Sequence, residues 1–122
     1  MLADLVAIDS VNPALVPGAA GEAQIAAYVA AWLDERGLDV TVLDEPAGRP
    51  SVVGVARGSG GGASLMLNGH IDTVGVAGMD RPHDPQNRGG RLYGRGSYDM
   101  KGGVAACMLA GAAAVGAGLA AT

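Results

Sequence analysis

Apolar residues recur along the 122-residue chain with two different periods. Between Gly21 and Arg36, Ile25, Tyr28, Val29, Trp32 and Leu33 fall at i, i+3, i+4, i+7 and i+8, one face of an amphipathic helix. Glu22 stands near the positive end of that helix, and Gly37 is placed to close it. Tyr28 and Trp32 lie on the apolar face and are expected in the core. A weaker pattern, Leu2, Leu5, Val6 and Ile8, predicts a short first helix, ended by Asp9, Ser10 and the turn residues Asn12 and Pro13. Asp39 to Asp44 alternates, with Val40 and Val42 on one face, and Ser51 to Arg57 is β-branched and apolar; both read as strands. Leu65, Met66 and Leu67 form an apolar run between glycine-rich and polar signals, which predicts a strand buried on both faces. Val74 to Gly90 reads as irregular, Arg91 to Gly94 as a short strand, and Gly102 to Leu119 as an Ala-rich helix. This order of elements predicts an α/β domain built on a mixed sheet with flanking helices.

Composition narrows the picture. A chain of 122 residues suits one small domain, and it can bury roughly two-thirds of its unfolded surface. Its apolar residues are mostly Ala, Val and Leu, with no Phe and one Trp, so the core must close on small side chains. A net charge of −4, no basic cluster and few aromatics exclude a nucleic-acid footprint. Cys107 is the single cysteine and sits in an apolar run, which points to a reducing compartment and a cytoplasmic location. The first residues carry an early acid and no basic stretch, unlike a signal peptide. Val104 to Thr122 has about the length of a membrane span, but it is rich in Ala and Gly and reads as a buried helix, so no membrane partner is expected.

The candidate chemistry begins where the central apolar run ends. Side chains alternate along a strand, so His70 and Asp72 point to one side and Ile71 to the other. A metal-binding histidine needs its second ring nitrogen held by an acceptor, and a carboxylate serves; a histidine paired with an acid for structural reasons has the same spacing. Asp99 likewise has two readings. It is placed to cap the following helix, yet Lys101, Gly102 and Gly103 all weaken that first turn, as if the backbone came close to a metal-bound carboxylate or a neighbouring strand. Gly58 to Gly62 reads as a surface loop, because no helix follows it and the Lys-Ser/Thr of a P-loop is missing. Gly94-x-Gly96 lacks the third glycine of a dinucleotide turn, since position 99 is Asp. His83 reads as a surface-loop residue, Tyr98 as a packing residue, and Arg95 either as a binder of a substrate anion or as half of a salt bridge.

Two segments taken together, Leu65-Met66-Leu67-Asn68-Gly69-His70-Ile71-Asp72-Thr73-Val74 and Gly90-Arg91-Leu92-Tyr93-Gly94-Arg95-Gly96-Ser97-Tyr98-Asp99-Met100-Lys101-Gly102-Gly103, closely resemble the paired signatures of the M20 family of metallopeptidases and deacylases. Ser10 to Pro13, Gly21-Glu22 and the helix ending at Gly37 resemble the family's N-terminal part. The resemblance implies a two-zinc site, with Co2+ or Mn2+ as possible substitutes. In it His70 ligates one ion, Asp72 holds and polarises His70 as the catalytic partner, and Asp99 bridges both ions. It also implies a cis peptide after Asp99 and metal-assisted hydrolysis of amide bonds in N-acyl amino acids or small peptides, by an enzyme that in complete form is a homodimer.

The family's general-base Glu, its remaining ligands, its later strands and its dimerisation domain have no counterpart in residues 1–122, which are therefore expected to be the N-terminal part of an M20-type catalytic domain. Alone, such a piece is expected to hold metal weakly and to hydrolyse nothing at a useful rate. Met79 to Asp84, where many family members carry aromatics, is a candidate substrate-contacting loop. The rival readings are a non-catalytic α/β module with His70, Asp72 and Asp99 in structural roles, and a nucleotide-binding domain resting on Gly94-x-Gly96.

Overall fold

The computed structural model describes residues 1–119. Three helices, α1 (Leu2–Ala7), α2 (Ala23–Asp34) and α3 (Gly102–Ala114), combine with four strands, β1 (Asp39–Leu43), β2 (Ser51–Val55), β3 (Gln86–Arg88) and β4 (Arg91–Tyr93), in an α/β arrangement. The strands form two separate antiparallel pairs, β1–β2 and β3–β4. Among the described residues, parallel pairing is confined to one bridge, Val11 with Thr73.

The amphipathic face predicted for α2 forms the centre of the core. Ile25, Val29 and Leu33 join Leu5 of α1, Leu38, and Val104, Ala105 and Met108 of α3 in one buried cluster. Burying a Leu, Ile or Met side chain contributes about 1.5–3 kcal/mol, so this cluster is the main term holding three helices together. Tyr28 and Trp32, expected in the core, sit at its edge and are half-buried. Both carry a polar tip that turns outward: the Tyr28 hydroxyl donates to Asp4 Oδ2 at 3.0 Å, and the Arg36 guanidinium lies 3.7 Å over the Trp32 ring. Helix α2 packs on β1 and β2, where Val40 lies opposite Gly54 and Val42 opposite Val52 on one face.

Several predicted elements change. The run Leu65 to Leu67 is not a buried strand: no ladder forms along it, and Leu65 is 84% exposed. A two-sided buried strand needs hydrogen-bonded neighbours and cover on both faces, and among the described residues β1 and β2 pair only with each other. The region expected to be irregular before Gly90 contains β3, which meets β4 through Gly89-Gly90, both at positive φ (58° and 78°). That Gly-Gly pair is a two-residue hairpin signal of the type that favours positive φ at both positions. Helix α3 ends at Ala114 rather than Leu119, because Val115 turns extended (ψ 123°). The last three positions of the apolar stretch ending at Thr122 lie outside the described residues; among those described, no helix is long and apolar enough to cross a membrane.

Candidate metal centre

His70 stands at the exit of the apolar run, and the residues after it are pinned from the side. Asn12 N donates to the Thr73 carbonyl and Thr73 N to the Ser10 carbonyl, both at 2.9 Å, which fixes positions 72 and 73 against the N-terminal turn. Asp99 comes from a kinked turn, Ser97–Lys101, that precedes α3. Its backbone is extended (φ −122°, ψ 101°), and the Asp99–Met100 peptide is cis, as the resemblance implies. The turn is closed by Lys101 N donating to the Gly96 carbonyl at 2.8 Å.

Gly96 holds φ +81°, and a Cβ there would stand 2.8 Å from Thr73 Cγ2 and 3.0 Å from Lys101 Cδ. Both the backbone conformation and the space therefore require glycine. Gly96→Ala is expected to destabilise the fold by about 2–4 kcal/mol, from left-handed strain plus overpacking, measured as a shift in the urea midpoint at unchanged slope. A variant as stable as the parent would mean that the turn relaxes freely.

The three acid–base groups singled out above converge. His70 Nδ1 lies 3.1 Å from Asp72 Oδ1 and 3.0 Å from the Asp72 carbonyl. His70 Nε2 lies 3.0 Å from Asp99 Oδ1. Desolvation pulls the His70 pKa down, but hydrogen bonds to Asp99 and to the Asp72 backbone, with the charges of both carboxylates, outweigh it and raise the pKa above 6.5. Asp99 does not cap α3. Lys101 occupies the N-cap position, and the Asp99 carboxylate turns toward the imidazole instead.

The donor set fits part of a zinc site. Two donors of one tetrahedral zinc, each bonded at about 2.0–2.1 Å, stand about 3.3 Å apart, and the imidazole and carboxylate are within a few tenths of that separation. Asp72 on the opposite ring nitrogen supplies the partner that a ligating histidine needs. Among the described residues no group of three or more His, Cys, Asp or Glu side chains is arranged to hold a metal ion.

The site opens into a cavity of about 230 Å3 lined by His70, Asp72, Arg95, Ser97, Tyr98 and Asp99. Tyr98, expected to pack, is 97% exposed on its rim; the kink that brings Asp99 to His70 leaves its neighbour in solvent. Arg95 lines the cavity with its Nε buried and without a hydrogen-bond partner. His83, expected on the surface, is half-buried, its Nε2 3.5 Å from Asp9 Oδ1, because Arg95 N bonds the Pro82 carbonyl at 2.7 Å and draws that turn inward. Met79, Asp80, Arg81 and Asp84 line a second cavity that shares Gly94 and Ser97 with the first.

Two residues around the site escaped the sequence reading. Asn12, read only as a turn former, donates through Nδ2 to Asp72 Oδ2 at 2.7 Å. Lys101, read as an unfavourable cation, is fully buried, and its ammonium donates to the Ile8 carbonyl at 2.8 Å. Neither contact has a local sequence signal, since the partners are 60 and 93 positions away.

The sequence profile of peptidase family M20/M25/M40 matches residues 66–120. The chain is 35% identical over 100 residues to the N-formyl-4-amino-5-aminomethyl-2-methylpyrimidine deformylase of Bacillus subtilis (strain 168), covering 77% of this chain and 24% of that protein. It is 34% identical over 117 residues to the succinyl-diaminopimelate desuccinylase of Leptothrix cholodnii, covering 90% and 29%. It is 35% identical over 86 residues to the acetylornithine deacetylase of Vibrio campbellii, covering 67% and 22%. The chain thus spans about a quarter of the length of the curated relatives it matches. With its His70-x-Asp72 and Asp99 motifs inside the matched region and converging in space, the chain belongs to peptidase family M20/M25/M40.

Proposed function

We propose that this chain contributes part of a two-zinc centre to a hydrolase that cleaves amide bonds in N-acyl amino acids or small peptides. The observation that carries the reading is the His70 imidazole, gripped at Nδ1 by Asp72 while its Nε2 faces the Asp99 carboxylate 3.0 Å away. In this reading His70 Nε2 and the Asp99 carboxylate would hold the metal, and Asp72 would orient the imidazole and raise its basicity. Zinc, or Co2+ or Mn2+ in its place, would supply Lewis acidity that polarises the amide carbonyl and acidifies water. Deformylase, desuccinylase and deacetylase each name the removal of an acyl group, which supports a small acylated substrate. Arg95, lining the same cavity, suits a substrate carboxylate.

Two donors do not close a zinc shell, which takes four ligands in a structural site and three plus water in a catalytic one. The other ligands and the proton acceptor are proposed to come from polypeptide beyond these residues, in a complete enzyme that is a cytoplasmic homodimer. The 122-residue chain alone should therefore bind zinc far more weakly than the roughly 10–16 kcal/mol of a closed structural site, and should not hydrolyse N-formyl, N-acetyl or N-succinyl amino acids.

Calorimetric titration of zinc into the chain tests this. The proton on Nε2 competes with zinc, and the pKa of His70 is raised. Affinity should therefore fall on acidification, starting above pH 6.5. Tight binding, no binding, or affinity that is flat across this range would each defeat the proposal.

A further inference from the structure

Asn12 lies outside the family-profile match and was introduced above as a turn residue. Its surroundings say more. Its backbone is held on both sides: N donates to the Thr73 carbonyl at 2.9 Å, and its carbonyl accepts from Leu15 N and Val16 N, each at 3.0 Å. Its side-chain Oδ1 accepts from Ala14 N at 2.9 Å. That bond fixes which end of the amide is oxygen, because a backbone N–H must meet an acceptor. The Nδ2 end is thereby aimed at the remaining neighbour, Asp72 Oδ2, at 2.7 Å. A flipped amide would set oxygen against carboxylate.

The consequence falls on the proton of His70. A neutral imidazole has one N–H; here its Nδ1 faces both the carbonyl and the carboxylate of Asp72, at 3.0 and 3.1 Å, and its Nε2 faces the Asp99 carboxylate at 3.0 Å. If the hydrogen sits on Nε2 and is donated to Asp99, Nε2 has no lone pair for a metal; if it sits on Nδ1 and is donated to Asp72, Nε2 is free. The Asp72 carboxylate is part-exposed and can rotate away from Nδ1, whereas Asn12 is locked by four bonds. We propose that Asn12 is a positioning residue: it clamps the outer oxygen of Asp72 so that the inner oxygen, together with the Asp72 carbonyl, holds the His70 proton on Nδ1, leaving Nε2 as the metal-binding nitrogen. This inference rests on the zinc reading above and extends it one residue outward.

The discriminating variant is Asn12→Ser. A serine hydroxyl keeps an acceptor for Ala14 N, more weakly, but is too short to reach Asp72. Asn12→Ala removes both bonds and serves as the comparison for turn stability. Two measurements are made on the 122-residue chain: ring 15N shifts of His70 in metal-free protein at pH 8.5, and zinc affinity by calorimetry. The parent should show the Nδ1–H form. Asn12→Ser should move the proton toward Nε2 and weaken zinc by about threefold to tenfold, less than the 10–100-fold typical when a ligand's direct partner is lost. Asn12→Ala should match it in both readouts while losing more stability to urea. Unchanged shifts and affinity in Asn12→Ser would overturn the proposal, as would loss in Asn12→Ala alone, which would reduce Asn12 to a turn former. If the parent itself fails to bind zinc, the functional reading falls, and the 15N shifts still decide the role of Asn12.

Discussion

Replacing His70 with Ala eliminates site-specific zinc binding while leaving the stability of the chain within about 1 kcal/mol of the parent. The two halves of this expectation come from the same geometry. His70, Asp72 and Asp99 are 45%, 27% and 80% exposed at their side chains, and ion pairs that open to solvent contribute about 0–1 kcal/mol. The fold therefore does not depend on them. Zinc binding does, because among the described residues His70 Nε2 and the Asp99 carboxylate are the two donors that face each other. The other histidine cannot substitute, since both its ring nitrogens are buried and its Nε2 lies 3.5 Å from Asp9 Oδ1. Losses should grade with distance from the metal: complete for His70→Ala, about 10–100-fold for Asp72→Ala, and smaller for Asn12→Ser. What stability His70 does add follows its protonation. Its folded pKa is raised, so the contribution is full below pH 6.5 and fades as pH rises through the folded value. Any deficit of the variant should thus be largest in acid. Calorimetry and urea titration on the same samples separate the two readings: a non-catalytic module loses stability and shows no change in zinc, and parent-like zinc affinity in His70→Ala would end the hydrolase interpretation.

The amphipathic helix was legible because its information is local. Ile25, Val29 and Leu33 recur at the helical period and are buried as that period requires. The His70–Asp72 contact was legible for the same reason, since two residues apart on extended backbone means one side. The approach of Asp99 to His70, 29 positions away, has no local period behind it, and only the resemblance implied it. The Leu65–Leu67 run marks the opposite failure. Its letters carry the apolar signal of a buried strand, but burial is a property of neighbours, and the described residues supply none that pair with it. Lys101 shows how burial overrides a charge rule: an ammonium at a helix start is unfavourable in isolation, yet here it reaches back to a carbonyl of another element.

That reach makes Lys101 the residue whose removal should cost the fold most. It is fully buried, its stem lies against Gly96, and its Nζ donates to the Ile8 carbonyl at 2.8 Å, tying the end of α1 to the turn that carries Asp99. Lys101→Ala leaves a cavity where a long unbranched chain stood, comparable to Met→Ala at about 2–5 kcal/mol. It also strips the Ile8 carbonyl of its donor, at about 1–3 kcal/mol if that oxygen finds no water. Relief from burying an ammonium offsets part of this, which places the net loss near 3 kcal/mol at neutral pH, within the cavity range. Lys101→Met restores the volume and not the donor, so the difference between the two variants isolates packing from hydrogen bonding. Titration adds an independent check. Burial lowers the Lys101 pKa from 10.5 to about 8, with the nearby Asp9 charge working the other way. Between those values the unfolded chain binds the extra proton, so parent stability should rise from pH 8 to 10.5 relative to Lys101→Met. Urea midpoints for the three proteins across that range measure both effects. A Lys101→Ala protein as stable as its parent would show that the ammonium bond and its buried stem do not hold the Asp99 turn to α1.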